Sequence, residues 1–164
     1  IMEANAGVPT SVVKRAIALR DQAEIESRTR RDASLLFDEA WCLFDKDDHP
    51  HLPDAISEAS RHGINVALSN PSFELWLLLH FQKQTAHILR HLVRRKVKAH
   101  LAEYDKRIDQ KLFARLKDKF AMAVERARDL EQWHVARKTS GQNPSTGVFR
   151  LGERLEVISR PLYR

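Results

Sequence analysis

The sequence predicts an α/β fold: a parallel sheet flanked by helices over residues 1–82, with a basic helical extension over residues 83–164 packed on it. Three observations carry this reading. In the first half, short apolar runs that end in acidic or turn residues alternate with segments of helical period. After residue 70 the strand-like runs stop and only helical periods follow. The charge also changes sign between the halves: residues 1–82 hold 8 Lys and Arg against 13 Asp and Glu, a balance of −5, whereas residues 83–164 hold 20 against 9, a balance of +11. An acidic half suits a cation and a basic half suits a polyanion. The structural alternative is a set of well-solvated helices on a basic protein.

Residues 1–6 read as the tail of a strand. Thr10 or Ser11 then caps a helix in which Val12, Val13, Ala16, Ile17 and Leu19 recur at helical spacing, fading into charged residues towards Asp32. The run from Ala40 to Phe44 is apolar and stops abruptly at Asp45, as a buried parallel strand does where its carboxyl end emerges. Pro53 opens a helix through Ala55, Ile56 and Ala59 to a stop at Gly63, and residues 64–68 supply the next strand. The order β-α-β-α-β calls for parallel strands joined by right-handed crossovers.

Asn70 as N-cap and Pro71 at the first helical position start a helix over residues 72–81 that is apolar on every side, hence buried on the sheet. Ile88, Leu89, Leu92, Val93, Val97 and Leu101 form one face of the next helix, with Arg90, Arg94 and Lys98 on the opposite, solvent-facing stripe. Leu112, Phe113, Leu116, Phe120, Val124, Ala127 and Leu130 keep a helical period, which predicts one long amphipathic helix ending near Trp133. A loop over residues 138–144 follows, and Ser145 or Thr146 caps a last helix with Val148, Leu151, Leu155 and Ile158 along one side.

With 164 residues, 43% hydrophobic and 30% charged, the chain can bury a core, and five Gly and six Pro exclude collagen-like or linker-dominated classes. The longest apolar stretch, residues 75–81, is interrupted by His80 and falls far short of the roughly 20 residues a bilayer requires. The single cysteine, Cys42, allows no internal disulfide and fits a reducing, cytoplasmic location, as does the lack of a secretory signal. Ile1 ahead of Met2 points to a longer product.

The chemistry concentrates at strand ends. Asp45, Asp47 and Asp48 follow directly on the central strand, and open α/β sheets bind ligands at the carboxyl ends of their strands. Carboxylates two residues apart can turn towards one hard cation, Mg²⁺ or Mn²⁺, which takes oxygen ligands and keeps several waters. The structural alternative is an acidic turn that caps the following helix. Glu74 lies just beyond the next strand, in the first helical turn, where it can face the same crevice or simply complement the helix dipole.

The stretch from Trp41 to Pro50, the block from Val66 to Phe81 that contains SNPSFELWLLLHF, and the late segment from Asn143 to Val148 resemble the RloB family over nearly the whole chain. The resemblance implies a Toprim-type α/β domain, shared with topoisomerases, bacterial primases and the nucleases of OLD-type defence systems. It implies a role in phage resistance, in loci linked to restriction systems or beside an ATPase partner protein. By that similarity Asp45 and Asp47 correspond to the metal-binding DxD pair. The family's further glutamate stands in a Gly-x-x-Thr-Glu segment after an earlier strand, and this sequence has none; Glu3 is a poor substitute. The first strand and helix of such a domain are therefore expected to be missing from this sequence.

Together these readings predict a metal-dependent nuclease acting on DNA or RNA, with Asp45, Asp47 and Glu74 as catalytic residues and Asp45, Asp47 and Asp48 holding Mg²⁺ or Mn²⁺. Arg90, Arg94, Arg95, Lys96 and Lys98 are expected to contact the nucleic-acid backbone. The alternative is a non-catalytic subunit that binds nucleic acid or docks on an ATPase. Topoisomerase or primase activity is disfavoured, since neither a tyrosine-bearing domain nor a zinc ribbon is recognisable. Among the other candidates, His49 and His51 read as surface or turn residues, and His87 with His91 as neighbours on one helix face. His80 reads as a hydrogen-bonded core histidine and Cys42 as buried and inert. Trp41, Trp76 and Trp133 read as core in preference to base-stacking platforms.

Overall fold

A computed structural model of the chain describes residues 8–46 and 50–159. Among the described residues there are seven α-helices: α1 (Pro9–Arg30), α2 (Leu52–Arg61), α3 (Glu74–Leu79), α4 (Arg90–His100), α5 (Gln110–Lys117), α6 (Phe120–Ala136) and α7 (Val148–Ser159). Three strands, β1 (Trp41–Asp45), β2 (Asn65–Asn70) and β3 (Ser145–Thr146), form a sheet in the order β1-β2-β3. The sheet is mixed and small. It has one parallel pair, and β2 pairs antiparallel with β3, Ser69 facing Thr146 and Asn70 facing Ser145. The strand expected over residues 1–6, with Glu3, lies outside the described residues. The chain divides into two compact units, Ile1–Val66 and Ala67–Arg164.

In the first unit, Cys42 and Phe44 alternate along β1 with outward residues and pack into a cluster of Val13, Ala55, Ala59 and Ile64, joined by Val12, Ala16 and Ile17. Helix α1 begins earlier than expected. Val8 is its N-cap and Pro9, whose missing N–H costs nothing in the first turn, opens it, so Thr10 and Ser11 lie inside the helix and neither caps it. Helix α2 stops as the sequence predicts: Gly63 adopts φ +65°, and the Ile64 N–H reaches back to the Ala59 carbonyl at 2.8 Å. Burial of Cys42 raises its thiol above the ordinary range, which keeps it protonated and unreactive.

In the second unit the centre is α3. Leu75, Leu77, Leu78 and Leu79 are each at most 1% exposed, because the short helix is enclosed by α4, α6 and β3. It starts at Glu74, not at Ser72. Asn70 does not cap it; it is the last residue of β2, and its Nδ2 donates to the Gly141 carbonyl at 3.0 Å. Helix α4 also starts later than the apolar spacing suggests, because the backbone of Ile88 is already engaged outside any helix by the Asn143 side chain.

The single long helix expected from Leu112 to Trp133 is two. Asp109 caps α5, its Oδ1 accepting from the Leu112 N–H at 2.8 Å, and the helix closes with a tight turn in which the Lys119 N–H bonds the Leu116 carbonyl at 2.9 Å. The break lets Phe120 meet Trp76 edge to face, with centroids 6.0 Å apart. Helix α7 passes closely over that pair: a Cβ on Gly152 would come within 2.7 Å of the Phe120 ring, so a larger residue there would have to displace the ring. Two residues that shared the apolar phase are not buried: Phe113 is 60% exposed on α5 and Leu155 is 51% exposed on α7. Among the described residues no helix is long and apolar enough to cross a membrane.

The packing predicts a sharp contrast. Leu77→Ala should destabilise the protein by about 3 kcal/mol through the cavity it leaves, whereas Phe113→Ala should change stability by less than about 0.5 kcal/mol. Urea unfolding of both variants measures the difference.

Candidate functional site

Asp45 is the last residue of β1 and is half-buried, with Lys46 exposed directly after it. Asp47, Asp48 and His49 lie outside the described residues. His51 is exposed at the start of α2, its Nδ1 3.7 Å from the Asp54 carboxylate, in the turn role the sequence suggests. Among the described residues no group of three or more His, Cys, Asp or Glu side chains is placed to hold a metal ion.

In the second unit, the end of β2 is bound to the segment around β3 by a polar seam. The hydroxyls of Ser69 and Thr146 meet at 2.8 Å, and Thr146 Oγ1 also accepts the first amide of α7, from Val148, at 3.3 Å. The Gly147 N–H donates to the Leu68 carbonyl at 2.9 Å. The Asn143 side-chain amide pairs with the backbone of Ile88, accepting its N–H at 3.0 Å and donating to its carbonyl at 2.9 Å. His134, 2% exposed, closes the loop: its Nε2 donates to the Pro144 carbonyl at 2.7 Å and its Nδ1 meets the Thr139 hydroxyl at 2.8 Å. A carbonyl can only accept, so Nε2 carries the proton.

Beyond the seam, the turn that follows β2 holds two buried oxygen groups. Ser72 is fully buried and its Oγ has no hydrogen-bond partner among the described residues. Glu74, 8% exposed, opens α3. Arg90, the first residue of α4, donates from Nη2 to the Pro71 carbonyl at 3.0 Å.

The basic residues of α4 do not form one free stripe. Arg94 is half-buried and pairs with Asp105 at 3.7 Å, Lys96 donates to Gln84 Oε1 at 2.9 Å, and Arg95 and Lys98 are exposed. His87 lies before α4 begins, so it shares no helix face with His91. Trp76 is buried as expected and Trp41 is half-buried, with its Nε1 donating to Glu39 at 2.9 Å, but Trp133 is 37% exposed and is not core. The α6 face turned inward carries Val124, Ala127, Leu130 and His134, and Trp133 falls one residue off it.

A family model described as RloB-like protein matches residues 1–155. The chain belongs to the RloB-like family. No curated protein and no solved structure matches it.

In this RloB-like chain two of the three stretches that carry the family resemblance, 66–81 and 143–148, supply the Ser69–Thr146 and Leu68–Gly147 bonds of the seam. Sequence reasoning did not single out Asn143 as a backbone partner, nor His134 at all. For His134 a signal was present: it continues the inward spacing of Leu130 by four residues, a polar side chain on an apolar face. For Asn143 there was none, because its partner lies 55 residues away. The expected core histidine is as predicted: His80 is 3% exposed and its Nδ1 donates to the Trp76 carbonyl at 2.9 Å, one turn back.

Burial lowers the pKa of His80 below its ordinary 6.5, opposed by its backbone hydrogen bond and reinforced by Arg126. The unfolded chain therefore takes up a proton below pH 6.5 that the folded chain refuses, and stability falls as the pH drops from that value towards the folded pKa. Wild type should lose up to about 1.4 kcal/mol per pH unit from this group, and His80→Gln should lack that component. Urea midpoints across pH 7 to pH 5 measure the difference in slope between the two proteins.

Proposed function

We propose that this RloB-like protein is a Toprim-like, divalent-cation-dependent nuclease that hydrolyses phosphodiester bonds of DNA or RNA in phage defence. The observation that carries the reading is Asp45 at the carboxyl end of β1, followed two residues later by Asp47. The donor set is all oxygen, which suits Mg²⁺ or Mn²⁺, and such ions need only one or two protein carboxylates. In this reading Asp45 and Asp47, with Asp48, hold the cation. The bound cation would neutralise charge on the phosphoryl oxygens and acidify an attacking water.

Hydrolysis forms a bond from the water oxygen to phosphorus, breaks one P–O ester bond and leaves a proton to be placed. Accepting it is the general-base role that the sequence suggests for Glu74. Arg95 and Lys98, exposed on α4, supply phosphate contacts together with the balance of +11 over residues 83–164. Arg90, Arg94 and Lys96 add charge to the same helix while also bonding within the protein.

The test is calorimetric titration with Mn²⁺ joined to a cleavage assay on single-stranded DNA, duplex DNA and tRNA. Asp45→Asn should weaken Mn²⁺ binding at least about tenfold and remove metal-dependent cleavage while the variant still unfolds cooperatively in urea. Glu74→Gln should keep the binding and lose the cleavage. Unchanged Mn²⁺ binding in Asp45→Asn would overturn the reading in favour of a non-catalytic subunit that binds nucleic acid or an ATPase.

A further inference from the structure

Trp133 stands near the carboxyl end of α6 and is 37% exposed, the most open of the three tryptophans. It is held in place. The Arg137 guanidinium lies over the ring at 4.2 Å from its centroid and donates to the Trp133 carbonyl at 3.3 Å. The ring of His134, itself fixed in the seam, meets the indole edge to face at 4.8 Å. The guanidinium covers one face of the indole, and the part of the ring left exposed is held in water at little conformational cost with a cation beside it.

The charge around the indole selects the occupant. Arg137 and Lys138 are exposed, and among the described residues neither pairs with a carboxylate. The acidic neighbours on α6 are already neutralised: Asp129 by Lys83 at 3.1 Å and Glu131 by Arg150. What faces solvent is an aromatic plane beside uncompensated positive charge, within the half of the chain whose balance is +11. Such a pair matches a nucleobase with its phosphate; an acidic protein segment would use the charge but has no need of the flat ring.

We infer that Trp133 is a stacking platform for an unpaired base, with Arg137 and Lys138 holding the adjacent phosphates, so that the protein engages single-stranded nucleic acid there. The inference rests on the nucleic-acid reading above and narrows it to unpaired strands. A duplex keeps its bases stacked on one another and cannot offer one to the ring.

The full chain is titrated with oligo-dT and oligo-rU of about 16 nucleotides and with a duplex of the same length, reading both tryptophan fluorescence and the anisotropy of a labelled strand. Wild type should show quenching on single strands and not on the duplex. Trp133→Phe should abolish most of the quenching while keeping most of the affinity. Trp133→Ala should weaken single-strand binding about tenfold and leave duplex binding within about twofold. Single-strand binding of wild-type strength by Trp133→Ala, or quenching that persists in Trp133→Phe, would overturn the stacking role and leave the nuclease reading standing. No oligonucleotide binding by wild type at all would overturn both, and metal titration at Asp45 would then show whether the cation site survives alone.

Discussion

The second unit depends on side chains that stand in for backbone partners. Ser69 and Thr146, 77 residues apart in sequence, share a hydrogen bond, and Asn143 supplies the backbone of Ile88 with both a donor and an acceptor. Each such bond contributes about 1 kcal/mol net, but leaving a buried group without its partner costs about 1–3 kcal/mol. That asymmetry makes the seam all or nothing. It also sets what surrounds it: α4 starts where Ile88 is released, α7 starts on Thr146, and the loop before β3 is held by His134.

The seam explains which parts of the fold were legible in the sequence. Local signals held up. The strand that stops at Asp45, the Gly63 stop, the buried all-apolar helix and the core positions of Cys42 and His80 are each decided by neighbours within a few residues. The errors arise where a distant partner overrides a local preference. Asn70 next to Pro71 reads as a helix cap, yet its amide is taken by Gly141; of the two cap candidates for the last helix, Ser145 pairs with Asn70 and extends the sheet, and Thr146 takes the first amide of α7. The apolar period from Leu112 to Leu130 is genuine, but edge-to-face packing of Phe120 on Trp76 fixes where the helix breaks, and no spacing in the sequence encodes that contact. Trp133 fails in the other direction. It is a large hydrophobe on a helix, but it sits one position off the inward face that ends in His134.

For the candidate residues, the sequence indicated the elements that carry Asp45 and Glu74. Asp45 does end a strand and Glu74 does open a helix after the next one. Burial changes what these residues can do. Glu74 is 8% exposed and Ser72 is fully buried, its Oγ without a hydrogen-bond partner among the described residues, so neither is the solvated helix-start residue the sequence suggests. The basic helix changes as well. Arg90, Arg94 and Lys96 are partly committed to Pro71, Asp105 and Gln84, so the cations that face only solvent are fewer than the charge count suggests.

The central claim is that the seam and α3 form one cooperative structure, with the turn carrying Ser72 and Glu74 held between them. Native-state hydrogen exchange followed residue by residue tests it most directly. The amides of Ile88, Gly147 and Thr139, bonded respectively to Asn143, Leu68 and His134, should exchange only through the same opening that releases the amides of Leu78 and Leu79. Their opening free energies should then agree within about 0.5 kcal/mol and fall together in urea. Fast exchange at Ile88, Gly147 and Thr139 while α3 stays protected would contradict the account, because the turn would then rest on the helix alone.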